Sequence, residues 1–313
     1  MKTNVVAVVG PTAVGKTKLS VELAKRFKGE IISGDSMQIY KGLDIGTAKV
    51  TEEERQGIPH YMIDIRDPYE DFSVADFQEH VQYYIDTIHE RGLLPILAGG
   101  TGLYIQSALY NFNFSSHKRD DQFEQKMIAA INEKGIEPFY NKLMKVDPEQ
   151  AKKIHPNNRR RVIRALEVYE NTGLTMSELQ QKQADESPYN PILIGLSMER
   201  EELYKRINQR VDLMMEEGLL KEAKKLYDKG LKNAQSMQGI GYKEFVPYFY
   251  GEWTLYESIE RLKRNSRRYA KRQYTYFRNK MDVHWYSISE STIQETFSLI
   301  FQDLEGMLQN FTK

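Results

Sequence analysis

Cysteine is absent from the 313 residues, tryptophan appears twice and proline ten times. Without a thiol there is no disulfide framework, no thiolate zinc site and no cysteine nucleophile, a composition that suits a reducing cytosol. Net charge is missing too, since Lys plus Arg and Asp plus Glu each number 44. No global field therefore draws a polyanion, and a nucleic-acid partner must be met by local clusters. No stretch reaches about 18 apolar residues, which excludes a membrane-spanning helix. The apolar run before Gly10 is too short for a secretory leader. These absences lead us to expect a soluble, cytoplasmic protein of one large or two modest domains. What the chain has in plenty is flat, half-polar rings, 20 tyrosines and 13 phenylalanines, fit for cores or for stacking on bases.

The most informative segment is Gly10-Pro11-Thr12-Ala13-Val14-Gly15-Lys16-Thr17, a complete G-x-x-x-x-G-K-[ST] loop. Before it, Val5 to Val9 reads as a buried parallel strand. After it, Leu19, Val21, Leu23, Ala24 and Phe27 suit an amphipathic helix. In that setting the loop N–H groups, the helix N-terminus and the lysine converge on a di- or triphosphate, ATP among the candidates. The motif announces a polyphosphate without saying what is done with it.

Further strands are expected at Glu30–Ser33, Tyr61–Ile65 and Leu94–Ala98, with a helix from Val74 to Arg91 capped by Ser73 and stopped by Gly92. Strands alternating with helices predict an α/β fold: a parallel P-loop sheet flanked by helices, with ligands at the C-terminal strand ends. Gly10, Asp35, Asp64 and Gly99–Gly102 all fall there and are expected to share one crevice. Residues 119–186 are charged, poor in strand signals and punctuated by Gly and Pro, and we expect four or five short helices in an inserted all-helical lobe. The resulting partition is 1–117 for the first part of the core, 118–187 for the lobe, and 188–313 for the second part of the core. That last part is expected to hold a strand at Pro191–Leu196, helices over Arg200–Glu216, Leu219–Lys229 and Leu255–Asn279, a late strand Val283–Tyr286 and a final helix Ser291–Leu308.

Chemistry-bearing residues cluster around these elements. An aspartate at a strand tip beside a P-loop, such as Asp35, can bind magnesium, accept a proton from a nucleophile, or merely cap a turn. Asp64 invites the same three readings. The segment Ala98-Gly99-Gly100-Thr101 lacks the aspartate that would order a metal water in many NTPases, and its glycines would admit a bulky group close to the backbone. Arg159, Arg160, Arg161 and Arg164 form one basic cluster. A second, acid-free run from 261 to 280 includes Arg267, Arg268, Lys271 and Arg272, with Tyr269, Tyr274, Tyr276 and Phe277 interleaved. Such faces suit an RNA backbone and unstacked bases. Arg206 and Arg210, one helical turn apart, suit either surface ion pairs or a clamp on a leaving phosphate.

Taken together, the segments resemble the tRNA dimethylallyltransferase (bacterial tRNA isopentenyltransferase) family. The resemblance rests on the loop 10–17, Asp35-Ser36-Met37-Gln38-Ile39-Tyr40-Lys41-Gly42-Leu43-Asp44-Ile45-Gly46-Thr47-Ala48-Lys49 and Ile58-Pro59-His60. It continues through Ala98-Gly99-Gly100-Thr101-Gly102-Leu103-Tyr104, Ile154-His155-Pro156-Asn157-Asn158 and Arg164-Ala165-Leu166-Glu167-Val168. Gln238-Gly239-Ile240-Gly241-Tyr242-Lys243-Glu244 and Ala270-Lys271-Arg272-Gln273 complete it.

The resemblance implies transfer of a dimethylallyl group from dimethylallyl diphosphate to N6 of adenosine 37 in the anticodon loop of tRNA. On that analogy Gly10 to Thr17, with Lys16 foremost, hold the diphosphate, and Thr17 helps place Mg²⁺. Arg210 would neutralise the departing pyrophosphate. Asp35 would orient the amine and take its proton, and Thr101 would line the passage where base and allyl chain meet. Asp35, Ser36, Met37, Gln38 and Thr101 would contact the bases. Arg159, Arg160, Arg161 and Arg164, with Arg267, Arg268, Lys271 and Arg272 on the long helix, would grip the anticodon stem-loop. One departure is Glu124, where the family often carries an RNA-touching arginine. The expected acting unit is a monomer. The competing reading is an ATP-dependent small-molecule kinase, with Asp35 activating an acceptor hydroxyl.

Overall fold

A computed structural model describes residues 2–110, 112, 120–181 and 186–310. The chain folds as two compact units, Met1–Tyr110 with Ser187–Lys313, and Asn111–Glu186. The expected boundary at 117/118 lies outside the described residues.

The first unit is built on six parallel strands: β1 (Asn4–Val9), β2 (Gly29–Ser33), β3 (His60–Tyr61), β4 (Leu94–Gly99), β5 (Asn190–Ser197) and β6 (His284–Ser287), in the order β3-β2-β4-β1-β5-β6. In β1, Val5, Ala7 and Val9 enter the core on one face, while Val6 and Val8 enter the core on the other. Burial on both faces is why that strand is apolar without alternation. The register sets Val9 beside both Gly99 and Gly195, and Ser33 beside Ala98. The loops leaving β1, β2 and β4 therefore emerge side by side, with β1 at the topological switch point.

Helices cover both faces. The P-loop helix Lys16–Phe27, the helix Arg200–Glu216 and the last helix Ile293–Asn310 contribute to one core; Val74–Glu90, Gly102–Tyr110 and Leu219–Asp228 contribute to the other. Ser73 caps Val74–Glu90 through a reciprocal box with Asp76. The long helix Leu255–Lys280 buries Ser258, Leu262, Ala270, Gln273 and Phe277 and supplies side chains to both cores.

One strand expectation is corrected. Of the expected stretch Tyr61–Ile65 only Tyr61 lies in the strand, which pairs at His60 and Tyr61, because Met62 and Asp64 hold φ of 63° and 56°, left-handed values that end an extended pleat. The late strand begins one residue after the expected Val283, at His284.

The second unit is all helical among its described residues: Asp121–Lys134, Glu137–Val146, Pro148–Lys153, Arg159–Thr172 and Met176–Gln181. Its core gathers Leu143, Ala151, Ile154, Val162, Ala165 and Leu166. Buried Asp147 caps Pro148–Lys153 and accepts both the N–H and the O–H of Ser177, which ties two helices together. Arg159, Arg160 and Arg161 are exposed at the start of their helix. Arg164 differs: it pairs with buried Glu167 at 3.0 Å, and Glu167 also accepts the Asp120 N–H.

Candidate active site at the phosphate-binding loop

The loop between β1 and its helix has the conformation its glycines permit. Gly10 takes φ of 142°, and a β-carbon there would lie 2.7 Å from the Leu196 carbonyl oxygen. Pro11 and Val14 are buried beneath the loop, whereas Thr12, Ala13, Gly15, Lys16 and Thr17 line a cavity of about 300 Å³. Asp35, Arg206 and Arg210 face the same chamber. A second chamber of about 300 Å³ adjoins it, walled by Met37, Ile207, Val211, Met214, Ile240 and Leu262. Thr12, Ala13, Asp35, Thr47, Ala48, Arg210 and Tyr269 line both, so a polar compartment opens into one with an apolar wall, which Lys243 and Arg272 also border.

Charge distribution defines what the polar chamber lacks. The Lys16 ammonium has turned back onto the Pro11 carbonyl, 2.7 Å away. Burial first, and the Arg210 charge second, bring its pKa down to about 7 against the weaker pull of Asp35. Arg210 keeps surface open to the cavity yet is crowded by protein, and that desolvation lowers its pKa, with Arg206 adding repulsion and Glu54 and Glu217 opposing the fall. Crowded cations in a pocket beside a helix N-terminus form a site suited to an anion.

Asp35 sits where the two chambers meet. Its Oδ1 accepts the N–H of Met37 at 2.8 Å and of Gln38 at 3.3 Å. The turn-capping reading is thus real for one oxygen, and Oδ2 has no hydrogen-bond donor among the described residues. Burial raises its pKa, and the two N–H groups and Lys16 oppose the rise. A carboxylate with a raised pKa and a free lone pair is equipped to accept a proton. Thr101 is close by: its Oγ1 accepts the Ser36 N–H at 3.4 Å and lies 3.4 Å from the Tyr269 hydroxyl.

The IPP transferase family model matches residues 38–280. The tRNA dimethylallyltransferase of Oceanobacillus iheyensis is 57% identical over 309 residues, 99% of each chain. The chain belongs to the IPP transferase family. The crystal structure of the full-length tRNA isopentenylpyrophosphate transferase of Bacillus halodurans is 52% identical and matches over 100% of both chains, with a TM-score of 0.74. A eukaryotic dimethylallyltransferase acting on tRNA is 34% identical with a TM-score of 0.83, covering 99% of this chain and 79% of that one. These relatives give the kinase alternative no support.

Other residues singled out in this IPP transferase sequence are distributed unevenly. Ser36 and Met37 line the apolar chamber. The Gln38 amide is engaged within the protein, accepting Ser33 Oγ and donating to the Thr47 and Ala48 carbonyls. Asp64 is not in the crevice; with Asp44 it holds the nearly buried Lys49, at 2.6 and 2.5 Å. On the long helix Arg268, Lys271 and Arg272 are exposed, but Arg267 donates to Asn208. Three of its aromatics serve the fold: Phe277 is buried, the Tyr274 hydroxyl accepts the Met198 N–H and the Tyr276 hydroxyl donates to Gln106.

Two residues escaped the sequence reading as parts of the site. Gln273 accepts the Thr12 N–H at 2.9 Å and donates to the Gly100 carbonyl at 3.0 Å, joining the P-loop to the end of β4. A polar residue on the buried stripe of a helix was the signal for it. Glu222 accepts the N–H groups of Asp44, Ile45 and Gly46, each at 3.0 Å, and the Tyr242 hydroxyl at 2.6 Å. It fastens the chamber wall from behind, and nothing local in the sequence marks it.

Proposed function

We propose that the protein transfers a dimethylallyl group from dimethylallyl diphosphate to N6 of adenosine 37 in the anticodon loop of tRNA and releases diphosphate. One observation carries this reading: a phosphate chamber lined by Lys16, Arg206 and Arg210 opens into one with an apolar wall, with a carboxylate and an arginine at the junction. A γ-phosphoryl acceptor site would need no apolar wall of this kind.

The loop N–H groups and Lys16 hold the diphosphate, and Arg206 and Arg210 face it from the opposite helix. As the C1–O bond breaks, its electron pair leaves with the diphosphate, where Arg210 offsets the growing charge. N6 attacks C1 and passes its proton to Asp35, which matters because the amine lone pair is delocalised into the ring. The adenine must leave its stack at a cost of roughly a few kcal/mol, small in an already single-stranded loop. Ser36 and Met37 contact the bases, and the exposed arginines and lysine of the long helix meet the phosphates. Arg159, Arg160 and Arg161 give the helical unit a second phosphate-binding face.

Mg²⁺ fits the hard oxygen donors here. Thr17 presents an exposed hydroxyl to the polar chamber, and no group of three or more His, Cys, Asp or Glu side chains able to hold a metal exists among the described residues. A magnesium held by one protein hydroxyl, substrate phosphate oxygens and water matches that donor set. When bound it supplies charge neutralisation to the diphosphate. No helix among the described residues is long and apolar enough to cross a membrane.

The test incubates the purified protein with an unmodified anticodon hairpin and radiolabelled dimethylallyl diphosphate, or with γ-labelled ATP, with and without Mg²⁺. Mg²⁺-dependent label in RNA from the first donor is expected. Transfer of γ-phosphate to a small acceptor, with no prenylated RNA, would overturn the reading.

A further inference from the structure

Tyr269 is the one aromatic ring that lines both chambers among the described residues. It stands on the long helix one turn before Gln273, at the level of Asp35 and Thr101. Its hydroxyl lies 3.4 Å from Thr101 Oγ1, on the Asp35 side, and the residue as a whole borders both chambers. That ring already attracts a cation: the Arg272 guanidinium lies 5.6 Å from its centroid.

The proposed reaction places its reactive carbon at this junction, because the diphosphate occupies the polar chamber and the hydrocarbon belongs with the apolar wall. Positive charge develops on C1 as the C1–O bond lengthens. The other residues common to both chambers offer hydroxyl, methyl or backbone groups, one carboxylate and one guanidinium. Asp35 is needed for the amine proton, and Arg210 would repel a carbocation-like centre. An aromatic face stabilises such charge without attacking it.

Resting on the function proposed above, we infer that Tyr269 is a further catalytic residue, whose ring faces the allylic carbon, stabilises its developing charge and keeps water from capturing it. Two outcomes compete for that carbon. Attack by N6 forms the N–C bond and yields prenylated RNA, the amine proton passing to Asp35. Attack by water forms dimethylallyl alcohol, its proton passing to solvent; in both cases diphosphate leaves with the C1–O electron pair. The ring favours the first by occupying the space from which water would approach. Burial, with Asp35 nearby, pushes the Tyr269 phenol up to about 12, so the ring stays a neutral phenol at working pH.

The experiment measures, for wild type, Tyr269→Phe and Tyr269→Leu, the label from dimethylallyl diphosphate recovered in the anticodon hairpin and in dimethylallyl alcohol. The ratio of the two products is counted per turnover, so it is independent of the fraction of protein that folds. Tyr269→Leu is expected to lower kcat about tenfold or more and to raise the alcohol share severalfold. Tyr269→Phe is expected to keep the wild-type ratio at a reduced kcat, since the ring remains and only the hydroxyl that reaches Thr101 is removed. A Tyr269→Leu variant with the wild-type product ratio, or a Tyr269→Phe variant that leaks alcohol as Tyr269→Leu does, would overturn the assignment. Absence of label in RNA with the wild-type protein would instead sink the proposed function itself.

Discussion

Gln273 and Gly100 are packed so tightly that a β-carbon on Gly100 would overlap the Gln273 Nε2, which donates to the Gly100 carbonyl at 3.0 Å. The other end of the same amide accepts the Thr12 N–H at 2.9 Å. A single side chain from the long helix therefore sets the distance between the phosphate loop and the end of β4.

Gly100→Ala should cost roughly 1–3 kcal/mol, because the side chain it displaces is buried and bonded at both ends. Gln273→Ala should cost a similar amount, by leaving the Thr12 N–H and Gly100 carbonyl without their partner. Chemical denaturation gives the stability and steady-state kinetics the donor KM. Both variants should bind the diphosphate donor less well. Wild-type stability and donor KM in Gln273→Ala would show that the stitch does not hold the loop.

Asp35→Asn tests proton acceptance separately from architecture. The amide oxygen can still accept the Met37 and Gln38 N–H groups, so the turn should survive. Turnover should drop on the order of 10²–10⁴-fold while RNA affinity stays near wild type. Undiminished turnover would remove Asp35 as the base.

The pH dependence follows from Lys16. With its pKa lowered to about 7, the free protein loses this charge above neutrality. The donor kcat/KM should then decline by roughly tenfold per pH unit on the alkaline side, until another group takes over. Lys16→Arg stays protonated and should flatten that limb whatever its absolute rate. Stability moves in the opposite direction: the unfolded chain keeps the lysine proton to a higher pH than the folded one, so stability rises from about pH 7 toward the ordinary lysine range. An alkaline limb unchanged in Lys16→Arg would assign it to a different group.

Arg268 and Lys271 are exposed on the long helix, and neutralising both should flatten the salt dependence of tRNA binding. The expected change in slope is roughly 0.7–0.9 for each phosphate no longer neutralised. A filter-binding series at several salt concentrations measures it, and an unaltered slope would take this face out of the interface.

Much of the first unit was legible because its signals are local. The β1–loop–helix segment, the Ser73 cap and the long helix each announce themselves within a few residues. The glycines after β4 were legible only in part. Close approach is what they permit, but the approaching groups are Gln273 against Gly100 and Tyr276 against Gly102, about 170 residues away in sequence and invisible to any local pattern. The aromatics of the long helix carried a readable warning. Leu262, Ala270, Gln273 and Phe277 recur at helical spacing, which marks an inward face rather than a set of stacking platforms. Asp64 failed as a site residue because the left-handed turn at Met62 and Asp64 ends β3 early and delivers its carboxylate to Lys49. No propensity argument anticipates left-handed residues of those types so close together.

Glu222 grips the Asp44–Gly46 segment by its main-chain amides, and the Thr47 hydroxyl and Lys49 ammonium donate to the Leu43 and Tyr40 carbonyls just beyond it. Ala48, which borders both compartments, holds a left-handed φ of 48° and accepts the Gln38 amide, so the wall is fixed there by its backbone. Reshaping the pocket for longer or shorter allylic donors therefore begins on the facing helix at Met214, which lines the second chamber, with the anchoring carboxylate kept intact.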